Sequence, residues 1–87
     1  MADTLEDVKL TPKNFVDLYD SSGISVGSAL AVQNKSSEVV LFTITPTQPT
    51  FDSSNGIYVE PFEIFQLTAG ESGLWAKGFG TVSVQPI

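Results

Sequence analysis

Glu60 and Glu63 in "VEPFEIF" are the closest this sequence comes to general acid–base machinery. Two carboxyl groups flanking a glycosidic bond suffice for sugar hydrolysis, so the pair is formally competent. Pro61 lies between them, however, in a stretch that reads as a loop running into a strand, and no neighbouring residues build a sugar cleft. Histidine and cysteine are both absent. Acid–base work at neutral pH falls most often to histidine, and nucleophilic catalysis to serine or cysteine beside a base, so no enzymatic activity is expected. In "FDSSNG", Asp52, Ser53 and Asn55 set oxygens around Gly56. The alternating carboxylates and terminal glutamate of a calcium loop are missing, and the stretch reads as an Asx-type turn with no metal or cofactor. "GFG" after "LWAK" lacks the helix and the lysine-serine ending of a phosphate-binding loop.

What remains is surface chemistry. Trp75, Tyr58 and Phe79 are the residues for an aromatic platform on which a sugar ring could stack, although a lone tryptophan in a small β domain more often fills a core or an interface. If Leu74 and Ala76 face inward, Trp75 faces outward beside Lys77. Ten acidic residues against four lysines leave a net charge of −6. That balance denies the chain the basic stripe needed for nucleic acid and repels it from anionic membranes. With neither a cationic leader followed by an apolar run nor a spanning stretch, a soluble protein made in the cytoplasm is expected.

The elements that must position these groups are short. A chain of 87 residues is one domain by length. It buries only about 60–65% of its extended-chain surface. With disulfides and soft metal ligands excluded, oligomerisation is the expected staple. "TVSVQP" alternates, with Val82 and Val84 on one side and Thr81, Ser83 and Gln85 on the other. Residues 38–45 are β-branched and aromatic, and Pro46 ends them. Strands are also expected at 14–19, 28–34, "IYV" and "FEIFQLT", with a helix capped at Thr11 as the alternative for the first. Residues 1–13 are charged and end near Pro12, and they read as an N-terminal arm preceding the domain at 14–87. Short strands separated by Gly, Ser and Pro predict an all-β fold, a small antiparallel β-sandwich or barrel.

"AVQNKSSEVVLFTI" reads as a hairpin around "NKSS", in one register pairing Leu30 and Val32 with Leu41 and Val39, in the other with Phe42 and Val40. Val40, Phe42 and Ile44 share the bulkier strand face and are expected in the core. Val39 and Leu41 are then left on the other side, covered either by the proline-rich excursion at 46–62 or by a subunit interface. "LWAKGFGTVSVQ" reads as a second hairpin. "YDSSGISV" echoes "FDSSNGIYV", which reads as repeated turn chemistry or as two equivalent loops at one end.

The run "VGSALAVQNKSSEVVLF", the excursion, "GES" and "LWAKGFGTVSVQ" resemble a recurrent type of small virion structural protein in tailed bacteriophages. The resemblance implies a β-sandwich carried on the particle, most simply a capsid decoration or cement subunit bound to the outside of the head. It further implies a virion location, the major capsid protein or another virion protein as partner, and no catalytic residue. Self-association, with a trimer favoured, follows from the surplus apolar faces. Val39, Leu41, Trp75, Phe51 and Tyr58 are the candidate interface residues. A tail, adaptor or fibre-associated component and a small carbohydrate-binding module are the alternatives.

Overall fold

A computed structural model describes residues 5–87. Eight strands form two antiparallel four-stranded sheets. The strands are β1 (Val8–Lys9), β2 (Val16–Asp17), β3 (Leu30–Asn34), β4 (Val40–Thr43), β5 (Ile57–Val59), β6 (Ile64–Leu67), β7 (Trp75–Lys77) and β8 (Thr81–Pro86). One sheet runs β1-β8-β3-β6 and the other β2-β7-β4-β5. This is the strand order of a jelly roll, in which consecutive strands mostly change sheets and pairing is made at long sequence separation.

Each strand buries the face its pattern demands. Val82 and Val84 from β8, Leu30 and Val32 from β3, Val40 and Phe42 from β4 and Ala76 from β7 are sealed between the sheets. The Phe42 and Phe65 rings cross the gap at 5.5 Å, tilted by 55°. Ile44 is a correction: it lies past the end of β4 and is 39% exposed, because the strand stops at Thr43 and the chain leaves the sheet.

Neither expected hairpin exists. Asn34 ends β3 in one sheet and Val40 opens β4 in the other, so "NKSS" is a crossover. Val32 and Phe42 enter one core from opposite sheets instead of pairing edge to edge. "GFG" likewise carries the chain from β7 to β8 in the opposite sheet. Its Gly80 sits at φ 83°, and a Cβ there would approach the Ser36 Cβ to 2.5 Å, so the two crossovers pack where only glycine fits.

The strand expected at 14–19 is shorter than that reading. It stops at Asp17, whose carboxylate accepts from the backbone N–H groups of Tyr19 and Asp20 at 3.0 and 3.2 Å and starts a five-residue helix, α1 (Leu18–Ser22). Gly23 closes it at φ 78°. The helix alternative at Thr11 therefore fails in position. The buried Tyr19 hydroxyl donates to the Ser28 carbonyl at 2.6 Å, locking α1 to the entry of β3. Desolvation by burial, helped by Glu71, raises the Tyr19 pKa above 10.0 despite a lowering backbone contact at Gly27. A raised folded-state pKa adds stability that is present below the unfolded value and lost as pH climbs through the folded one. Urea midpoints measured upward from pH 9 are therefore expected to fall more steeply for the wild type than for Tyr19→Phe.

The segment read as an arm is corrected in its described part, while residues 1–4 lie outside the described residues. Val8 and Leu10 are buried, at 6% and 5% exposure, because their spacing puts both on the inner side of an edge strand whose charged neighbours point to solvent. β1 pairs with β8, Leu10 N–H donates to Gly80 O at 2.9 Å, and Lys35 meets Asp7 at 2.8 Å. Deleting residues 1–10 is expected to cost about 3–6 kcal/mol, from the lost burial of two aliphatic side chains and an opened sheet edge. A urea midpoint equal to that of the full chain would show that β1 contributes nothing.

Candidate interaction surface

The outer face of the β2-β7-β4-β5 sheet presents Leu41 flanked in register by Tyr58 and Lys77, with Trp75 beside Thr43. Much of it is covered from within the chain. The excursion after β4 folds back over the sheet and is tied down along its length. Trp75 Nε1 donates to Thr45 O at 3.0 Å, Gln48 Nε2 to Phe15 O at 2.9 Å, and Thr43 Oγ1 to Asn55 O at 2.6 Å. Lys77 Nζ donates to Phe51 O and lies 5.0 Å from the centre of the Phe15 ring, whose face attracts the cation. Gly56 completes the return at φ 138°, where a Cβ would collide with Phe42 O at 2.2 Å.

The five candidate interface residues separate under this strap. Leu41 is only 5% exposed and forms the floor of the outer layer. Trp75 is half-buried with its indole N–H already engaged. Val39, Phe51 and Tyr58 are exposed, at 42%, 65% and 61%. Val39, Leu41 and Tyr58 line a groove of about 320 Å³ together with Pro12, Phe79, Lys77 and the polar run Asp52 to Ser54. Phe51 and Trp75 do not line it.

The two carboxylates that could have done chemistry build a turn. Glu63 N–H donates to Glu60 O at 3.1 Å, and Glu63 Oε1 accepts from Glu60 N–H at 3.1 Å. In "FDSS", Ser53 N–H donates to Thr50 O at 3.0 Å, and Ser53 Oγ accepts from Asn55 N–H at 3.3 Å, which is turn chemistry. Among the described residues no three His, Cys, Asp or Glu side chains gather as they would around a metal, and no helix is long and apolar enough to cross a membrane.

Asn34 holds this end of the molecule together. Fully buried, it donates through Nδ2 to Glu38 O at 2.8 Å and Val59 O at 2.9 Å, and accepts at Oδ1 from Ser36 N–H at 2.9 Å. Its own backbone donates to Glu63 O at 3.0 Å and accepts from Phe62 N–H at 2.6 Å. One side chain thereby ties β3 to β5 in the other sheet and sets the crossover at 35–39.

Phe62 and Ile64 were missed by sequence reasoning, and both are exposed, at 64% and 61%. The available signal was "EPFE", because proline at the second position of a turn invites glycine at the third, and phenylalanine stands there instead. No protein family, curated protein or solved structure matches this chain.

Proposed function

We propose that this chain is a structural subunit of a bacteriophage particle, a decoration or cement protein that binds the outside of the head and bridges neighbouring shell proteins. The observation that carries the reading is the set of large apolar side chains left in solvent by a domain whose core is already closed. Val39, Tyr58, Phe62 and Phe79 stay exposed although Phe42, Leu41 and Val84 are fully packed. Such side chains stay in water at a cost unless a partner covers them. The jelly-roll strand order agrees by analogy, since viral capsid domains use it, and by itself it assigns no function. Trimer formation on the shell belongs to the same reading.

The test is co-sedimentation of the recombinant chain with purified heads of a phage that encodes it, stripped of their own copy. Saturable binding with a fixed ratio to the major capsid protein is the expected result. Binding to isolated tails but not heads would move the subunit to the tail or fibre. Binding to neither would remove the virion reading.

The groove supports a second reading. Tyr58 and Phe79 are exposed at its edge, beside the polar groups of Asp52, Ser53, Ser54 and Lys77, and stacking rings flanked by hydrogen-bonding groups suit a saccharide. Lectin domains share the architecture. A glycan array on which Tyr58→Ala loses the signal would favour it.

A further inference from the structure

Four connections meet at one end of the sandwich, namely residues 10–15, 35–39, 60–63 and 78–80. Three of them carry an exposed apolar residue: Val39, Phe62 and Phe79. Phe62 is the outlier. Among the described residues it is the one non-glycine residue with positive φ, at 66°. It occupies the third position of the Glu60–Glu63 turn, after Pro61, where the left-handed backbone favours glycine and a bulky residue is strained.

Nothing inside the molecule offsets that strain through the ring, which is 64% exposed. The backbone is clamped instead. Phe62 N–H donates to Asn34 O at 2.6 Å, and Phe62 O accepts from Gln33 Nε2 at 3.0 Å, so the turn is fixed from both sides while the ring stands outward. Phe62 itself is flanked by Glu60 and Glu63, while the cations at this end are Lys13 and the Asp7-paired Lys35 on neighbouring connections. Between Lys35 and Lys77 the chain has no cation and five acidic residues, among them Glu38, Glu60 and Glu63 on the connections at this end.

We infer that Phe62 is the anchor by which this end of the sandwich docks into an apolar pocket rimmed by lysine or arginine on the shell protein, with Glu60 and Glu63 meeting the rim. The inference rests on the shell-binding reading and specifies its foot. A second copy is the poorer occupant on charge. Each copy carries −6, so two copies repel overall, and among the described residues Lys9 and Lys13 are the exposed lysines without an ion pair that a copy could offer to the rim.

The test uses the full chain, the stripped heads and three variants, each read for melting temperature and for shell affinity at low and high salt. Phe62→Gly relieves the left-handed strain, so it is expected to melt at or above the wild-type temperature while losing at least tenfold in affinity. Glu60→Lys is expected to weaken binding by a similar factor, and wild-type affinity is expected to fall as salt screens the rim. Val26→Ser, an exposed position at the opposite end, is expected to bind as wild type. If Phe62→Gly binds as tightly as wild type, the foot is misplaced and the shell reading stands. If Phe62→Gly melts well below wild type, the ring is a packing element and the inference falls. Failure of the wild type itself to bind heads removes the shell reading and the foot with it.

Discussion

Asn34→Ala is expected to destabilise the fold by roughly 3–5 kcal/mol, because each buried group that loses its hydrogen-bond partner costs about 1–3 kcal/mol. The substitution strips the partner from Val59 O and Ser36 N–H and removes one of the two donors on Glu38 O. The Ser36 hydroxyl can keep Glu38 O satisfied but reaches neither of the other two groups. It lies 2.8 Å from Asn34 Oδ1 and 2.7 Å from Glu38 O and has a single proton to give. Single domains are stable by only about 0.05–0.15 kcal/mol per residue, so a loss of this size leaves much of the chain unfolded. Asn34→Asp separates hydrogen bonding from volume. It keeps the shape but turns a second oxygen toward the Glu38 and Val59 carbonyls, so it is expected to be at least as damaging at neutral pH. Partial recovery is expected in acid, where a protonated carboxyl can donate one bond. Urea denaturation of both variants at two pH values makes the measurement. A midpoint within error of wild type for Asn34→Ala would show that the network contributes nothing.

The paired substitutions Phe42→Ala and Leu41→Asp are both expected to unfold the domain, although their side chains point to opposite faces of β4. Phe42 is sealed between the sheets against Phe65, and its truncation leaves a cavity costing about 3–5 kcal/mol. Leu41 is buried for a different reason, under the strap and between Tyr58 and Lys77. Aspartate there loses apolar packing and desolvates a carboxylate, offset only in part by the cross-strand Lys77 ammonium, at a cost of roughly 2–4 kcal/mol. Thermal melts decide the matter. A Leu41→Asp protein that melts like wild type would mean that the outer face is open to water or to a partner, and that the strap does not close it.

Much of this fold was legible before any coordinates. The alternation in "TVSVQP" placed Val82 and Val84 inward, and both are completely buried. The β-branched run and Pro46 located β4, with Val40 and Phe42 in the core. "IYV" was readable as a short edge strand, and β5 is one. Along the outer face Val39, Phe51 and Tyr58 were nominated for exposure to a partner and are solvent-exposed, whereas Leu41 and Trp75 are drawn under the strap. The echo between "YDSSGISV" and "FDSSNGIYV" misled on equivalence. The first copy is a helical turn with Tyr19 buried, and the second is a strap with Phe51 65% exposed.

Side-chain alternation is a local property of the backbone, so the sequence already located β3, β4, β5, β6, β7 and β8 and the inward sides of β4 and β8, whereas β1 and α1 were not readable from it. Strand pairing is not a local property, since a short loop such as "NKSS" or "GFG" serves equally as a hairpin turn or as a crossover between sheets. That choice was made at long range. Asn34 reaches Val59 in the opposite sheet, Gly80 admits Ser36, and β1 finds the edge of β8 more than seventy residues away in the chain. Such contacts depend on groups that the rest of the fold brings together, and no local pattern records them. The burial of Leu41 and the exposure of Phe62 follow from those same contacts, and with them which part of the surface is left free for a partner.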